Sequence, residues 1–219
     1  MSLSVLFDLR PSFGPVRNQG ARPTCLAFAV SDAHAAARGS IEALSAEHLY
    51  FHAVQRTPGG HPRDGVTLRT ILDALRLDGQ SAETGWPYLD SLPADLKLWL
   101  PPATAQPVFK RESVTGPSGI DLILGYLASG MPTVITLMIS VAFCQPEGGI
   151  VTARPADPDL AWHAVIAVGE AKDSDRRLLL IRNSWGEAWG IGGYAWIDSE
   201  YLAPRLSSVA TIKPDGANK

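Results

Sequence analysis

Hydrophobic periodicity changes once along this chain, and that change constrains the fold more than any other feature. Up to about residue 129 the apolar residues recur at helical spacing: Leu26, Ala29, Val30, Ala33 and Ala37 between Cys25 and Arg38, then Leu68, Ile71, Leu72 and Leu75 between Val66 and Leu77. Gly39 closes the first segment and Asp78-Gly79 the second. Ser45 is placed to cap a helix running to about Val54, with Glu47 in its first turn. Pro93 to Leu100 reads as a short helix ended by Pro101-Pro102, and Ser118 with Asp121 at capping-box spacing opens a helix from about Gly119 to Ser129. Beyond that point the pattern becomes short strand-like runs, His163–Val168, Leu178–Ile181, Tyr194–Ile197 and Val209–Ile212. The polar Lys172-Asp173-Ser174-Asp175 between the first two predicts a hairpin. A helical region followed by a mostly antiparallel β region is an α+β arrangement, and a cleft between two such lobes is a natural place for a site.

Composition narrows the function class. The chain is 46% hydrophobic and 19% charged over 219 residues, which suits one large globular domain or two lobes sharing an interface. A net charge of -3, with no Lys/Arg cluster longer than two, offers no basic face for nucleic acid. Cys25 and Cys144 are the only cysteines, too few for a secreted disulfide framework. The first residues, Met-Ser-Leu-Ser-Val-Leu-Phe-Asp, lack a basic segment and a long apolar run, so no signal peptide is read there. The expected location is the cytoplasm, with export by a non-classical route left open. The uncharged stretch from Leu122 to Pro146 is long enough to cross a bilayer. Gly130-Met131-Pro132 interrupts it and Thr133-Val134-Ile135-Thr136 is β-branched, so it reads as helix, turn and buried strand, with no membrane partner expected.

Chemistry first suggests itself at Cys25, which begins a helix. Backbone N–H groups there carry partial positive charge and favour a thiolate, and Arg17 and Arg22 just upstream are placed to add to that field. A small buried hydrophobe is an equally good reading of the same cysteine. Trp162-His163-Ala164-Val165 then puts a histidine at the head of a strand, and Asn183-Ser184-Trp185-Gly186 follows the next one. A hairpin would set His163 and Asn183 side by side on one rim. A thiol nucleophile needs a base, and the base needs a partner that fixes its ring and tautomer.

These segments, in this order, resemble the papain family of cysteine peptidases along nearly all of the chain. Phe7-Asp8-Leu9-Arg10 resembles the family's mature N-terminal segment, and Pro15-Val16-Arg17-Asn18-Gln19-Gly20 its oxyanion-hole motif. Cys25-Leu26-Ala27-Phe28, Leu44-Ser45-Ala46-Glu47-His48-Leu49 and Trp86-Pro87-Tyr88 follow in the family's order. His163-Ala164-Val165 and Asn183-Ser184-Trp185-Gly186-Glu187-Ala188-Trp189-Gly190 complete it. His163 stands roughly 140 residues after Cys25, within the family's spacing.

The resemblance implies a papain-like two-lobe fold in a single catalytic domain, 1–219. About 15–105 would form the helical lobe and 106–215 an antiparallel, barrel-like β lobe, with the N-terminal segment crossing over and the active-site cleft between lobes. It implies a peptidase, endo- or exo-acting, that works through a thioester. Cys25 would be the nucleophile, His163 the base and acid, Asn183 the group orienting His163, and Gln19 an oxyanion donor. Cys25 and His163 would rest as a thiolate–imidazolium pair, with Trp185 covering the His163–Asn183 bond. Asp64-Gly65 would hold substrate backbone by strand addition, Trp162 and Thr136 would line the second-site pocket, and Trp185 would be a fifth substrate-binding residue. Partners would be a peptide or protein substrate and a protein inhibitor or regulator; no cofactor or metal is implied. Amide deamidation or acyl transfer at the same triad, and a non-catalytic peptide-binding module, are the alternative readings.

Departures from the pattern point to a member of the prokaryotic kind, without propeptide or disulfides. Arg22 stands where the family has a disulfide-bonded cysteine, Pro23 replaces a small residue, and Leu26 replaces the tryptophan after the nucleophile. These changes bear on the shape of the pocket nearest Cys25.

Other residues are read without chemistry. His48 and His52 share a helix face, but Leu49 stands where a zinc-protease motif needs Glu. His34 and His61 read as surface or loop residues. Gly190-Ile191-Gly192-Gly193 lies between strands and reads as a hairpin turn, and Cys144, after Val141-Ala142-Phe143, as a packed thiol.

Overall fold

The computed structural model describes residues 3–215. Strand β1 (Ser4–Asp8) leads to helices α1 (Cys25–Ala37), α2 (Ala46–Arg56) and α3 (Leu68–Leu77). The remainder runs β2 (Ser113–Gly116), α4 (Ile120–Ala128), β3 (Thr133–Ser140), α5 (Val141–Cys144), β4 (Ile150–Val151), β5 (Asp159–Asp173), β6 (Arg176–Arg182), β7 (Tyr194–Asp198), α6 (Ser199–Leu202) and β8 (Leu206–Ile212). The α+β class expected from the sequence is the class observed.

One sheet carries the second half, in the order β2-β8-β3-β5-β6-β7-β4, with β1 on β5. Every pair is antiparallel except β4 with β7. Strand β5 organises it: its first half pairs with β3 (Thr136↔Ala164, Leu137↔His163), its second half with β6 and β1. Side chains alternate faces along a strand, and the two faces of this sheet bury different cores. Ala164, Ile166 and Val168 of β5, Val134 of β3 and Leu180 of β6 face the core shared with α1, α2 and α3. Val165 and Ala167, with Ile135, Leu137, Leu179 and Ile181, face a second core closed by α4, Phe143, Trp189 and Tyr201. His163 falls at the mouth of the interface between lobes because it precedes this alternating run.

Helix α1 is central to the first core. It buries Leu26, Ala27, Phe28, Ala29, Val30, Ala33 and Ala35 around most of its circumference, which suits a helix packed on a sheet and on two other helices. His34 is drawn into the same environment and is fully buried, with no hydrogen-bond partner at either ring nitrogen among the described residues. The surface reading of His34 is therefore corrected: an Ala-rich helix enclosed on several sides has no polar stripe to place it on. Ser45 caps α2, its Oγ accepting the His48 N–H at 3.0 Å, and Thr67 with Thr70 forms a capping box on α3.

Two shorter expectations change. The Pro93–Leu100 helix is a single 3-10 turn, Leu96–Leu98, because Trp99 turns inward to reach Glu47. Ser118 does not cap α4; its hydroxyl donates to Ser207 O, and Gly119 takes the cap position. Among the described residues no helix is long and apolar enough to cross a membrane.

The lobes are tied by charge as well as by packing. Asp32 of α1 accepts from Arg17 Nη2 at 2.6 Å and from Arg182 Nε, at the end of β6, at 2.9 Å. Arg182 also reaches Pro15 O and the Tyr194 hydroxyl.

Candidate active site

Cys25 is the first residue of α1, and Thr24 precedes it without a side-chain cap, so the free N–H groups of the helix start face the sulfur. Burial pushes the thiol up; the N–H groups of Ala164, Leu26 and Cys25 itself work the other way, favouring the anion. Ala164 is the residue after His163, so the sulfur meets β5 at the histidine. The two arginines expected to assist do not. Arg22 is bound to Glu47 and Arg17 to Asp32 and Glu83, and each guanidinium is neutralised by its own carboxylate.

His163 Nε2 and Asn183 Oδ1 lie 2.8 Å apart. Their roles follow from a third group. The backbone N–H of Ser184 also points to Asn183 Oδ1, at 2.8 Å, and a backbone N–H can only donate. Oδ1 is therefore the acceptor, His163 Nε2 carries its hydrogen, and Nδ1 keeps the lone pair that a base needs. The Trp185 ring lies 4.6 Å from the imidazole and Phe143 packs edge-on at 5.7 Å, closing that bond from solvent. Asn183 Nδ2 is buried without a partner among the described residues. Burial lowers the His163 pKa to about 4, partly offset by the Asn183 bond. Burial thus opposes charging either the thiol or the imidazole alone.

Gln19 is brought to the same place by chain pairing: its N–H donates to Ser184 O at 2.8 Å, and Asn18 bridges to Trp185. Its side-chain Oε1 accepts from Ser184 Oγ at 2.7 Å and its Nε2 donates to Arg22 O at 2.9 Å. A primary amide has two N–H donors, so one remains for another acceptor.

A cavity of about 420 Å3 opens beside Cys25 and His163, lined also by Asp64, Gly65, Thr136 and Trp162. Four of the five residues expected to bind substrate thus share one cleft. The fifth, Trp185, lies behind the imidazole instead. Leu68, Ser207 and Ser208 also line the cavity and were not foreseen, because nothing local marks a residue that long-range packing delivers. Ser184 lay inside a motif already singled out; its hydroxyl between two candidate residues was the available signal. Cys144 ends α5, half-buried, with burial and Asp157 raising its thiol. Among the described residues no group of three His, Cys, Asp or Glu is placed to hold a metal.

Comparison with known proteins places this geometry. The profile described as "Papain family cysteine protease" matches residues 110–209, the half that holds His163 and Asn183. The crystal structure of xylellain, a cysteine protease from Xylella fastidiosa, superposes with a TM-score of 0.78 at 25% identity, over 95% of this chain and 85% of that one. The Carica candamarcensis cysteine protease CMS1MS2 superposes with a TM-score of 0.73 at 25% identity, over 94% and 97%. Mouse cathepsin R is 28% identical over 193 residues, 82% of this chain and 55% of that protein. Residues 110–209 are similar to the papain family, and the fold is that of its cysteine proteases. The chain spans little more than half the length of the curated relatives it matches. The two-lobe architecture of the family is the one seen here, and the part of its pattern outside the profile match, Gln19 and Cys25, lies against the part inside it.

Proposed function

We propose that the chain is a cysteine peptidase that hydrolyses peptide bonds through a thioester. The observation that carries this reading is the His163–Asn183 hydrogen bond, which leaves imidazole Nδ1 with its lone pair in the cavity that Cys25 also lines. In the proposed reaction Nδ1 takes the Cys25 proton as the sulfur bonds to the substrate carbonyl carbon. Charging both groups at once offsets the burial that opposes charging either alone. The carbonyl π pair moves onto oxygen, where the Cys25 N–H and the second Gln19 Nε2–H are the donors. The C–N bond then breaks, the amine leaving with the proton from His163, and the thioester remains. Water attacks it, giving its proton to Nδ1; the acid leaves and the thiol re-forms. Asp64 and Gly65 on one wall and Thr136 and Trp162 on the other are proposed to receive an extended peptide.

Two measurements test the reading. Mass spectrometry after brief alkylation at pH 5 to 6 is expected to find Cys25 modified well before Cys144; equal, slow rates would count against a thiolate made by proton transfer to His163. A mixed peptide library is expected to be cut by the reduced protein and untouched by Cys25→Ala. Intact peptides with both proteins would remove the hydrolase reading.

A further inference from the structure

Arg22 and Glu47 form a buried ion pair that no step of the proposed hydrolysis uses. Arg22 Nη1 and Nη2 donate to Glu47 Oε2 and Oε1 at 2.6 and 2.9 Å, with the arginine side chain 7% exposed and the glutamate 0%. The same carboxylate accepts from Trp99 Nε1 at 2.6 Å and from the Leu89 N–H at 3.1 Å, and Arg22 Nη1 also donates to Leu89 O. The guanidinium lies 4.9 Å from the centre of the Tyr88 ring. Stability alone does not ask for such a pair, since well-packed apolar residues of similar volume commonly do as well or better. What a bidentate guanidinium–carboxylate pair adds is a single geometry, where apolar contacts tolerate sliding.

The backbone of Arg22 is where that geometry has a use. Its carbonyl accepts from Gln19 Nε2 at 2.9 Å and from the Thr24 N–H at 2.8 Å, so it fixes the candidate oxyanion donor and the residue before Cys25 together. Tyr88, stacked on the guanidinium, donates its hydroxyl to Gln19 O at 2.7 Å and lies 2.9 Å from Thr24 Oγ1. The turn from Gln19 to Cys25 is thereby anchored to α2 and to the 88–99 segment through one ion pair. We infer that Arg22 and Glu47 are positioning residues for the oxyanion: by holding the Arg22 carbonyl they set the direction of the free Gln19 N–H. This deepens the proposed function and rests on its reading of Gln19. A displacement of about 1 Å in such a donor can cost on the order of a hundredfold in rate.

The test compares two reactions of Cys25 in a Cys144→Ala background. Acylation by p-nitrophenyl acetate passes through a tetrahedral oxyanion: sulfur bonds to the carbonyl carbon, nitrophenolate leaves, and the thiol proton goes to His163. Alkylation by iodoacetamide displaces iodide at a saturated carbon and forms no oxyanion. In Arg22→Lys and Glu47→Gln we expect acylation to fall about ten- to hundredfold while alkylation stays within about twofold. Equal loss of both rates, or no loss in a folded variant, overturns the inference. If Glu47→Gln does not fold, the double variant Arg22→Met/Glu47→Met removes both charges at once. A folded double variant with the wild-type ratio of the two rates also overturns it, and a lowered ratio supports it. Ester acylation reads the oxyanion geometry whether or not a peptide is cut, so lack of peptide cleavage by the unmodified protein counts against the hydrolase reading alone.

Discussion

His163 donates its Nε2 hydrogen to Asn183 Oδ1 across 2.8 Å, and the Trp185 ring, 4.6 Å from the imidazole, shelters that bond. The histidine opens the buried run of β5 and the asparagine directly follows β6, so the sheet itself sets the distance. Replacing Asn183 with alanine removes the acceptor and leaves a buried N–H unpaired, at a cost of about 1–3 kcal/mol in stability. It also frees the ring to adopt the wrong tautomer. Peptide cleavage by Asn183→Ala is expected to fall at least about tenfold in kcat, with KM little changed. Steady-state kinetics with unchanged kcat would show that ring orientation is set elsewhere.

Acid should unfold this protein through its buried histidines. Burial lowers the pKa of His34 to about 3 and of His48 and His163 to about 4, from 6.5. Below pH 6.5 the unfolded chain takes up these protons while the folded chain does not. Stability is therefore complete above pH 6.5 and falls by about 1.4 kcal/mol per pH unit for each histidine until the folded form protonates too. His34→Leu, which also removes two unpartnered nitrogens, is expected to flatten that slope by one histidine's share between pH 6 and 4. Urea titrations at several pH values measure it; parallel slopes for both proteins would disprove it.

Asp32 sits between Arg17 and Arg182 and joins α1 to the end of β6. Its replacement by alanine leaves Arg182, 2% exposed, without a carboxylate. A destabilisation of about 3–5 kcal/mol is expected from breaking one partner of a buried pair. Chemical denaturation checks it, and a loss below about 1 kcal/mol would mean that water or the other carboxylates take over.

Gly65 lines the cleft with φ at +82°, a conformation that favours glycine. A Cβ there would meet Pro23 at 3.6 Å, an ordinary contact, so Gly65→Ala is limited by backbone strain of about 1 kcal/mol rather than by a clash. The substituted loop is expected to bind peptide less well, raising KM while kcat for bound peptide changes little. An unchanged KM would remove Gly65 from the substrate wall.

Element positions were legible where a local rule sufficed. Ser45 precedes α2 and caps it as read, and the hairpin between β5 and β6 turns at the polar residues read as a turn. The readings that failed needed knowledge of neighbours. His34 looks like a surface residue until the sheet and two helices enclose α1. Arg17 and Arg22 look like a positive field for Cys25 until Asp32, Glu83 and Glu47, all remote in sequence, neutralise them. Ser118 has capping-box spacing, yet the Ser207 carbonyl competes for its hydroxyl.

The order of helical and strand periodicities, and the types and spacing of Cys25, His163, Asn183 and Gln19, were determined by the sequence alone, because backbone propensity and side-chain chemistry are local properties. The protonation preferences of the site, the tautomer of His163 and the partner of Arg22 were decided only by tertiary structure. Each depends on desolvation and on hydrogen-bond partners that the sheet register and the packing of α1 bring in from distant parts of the chain.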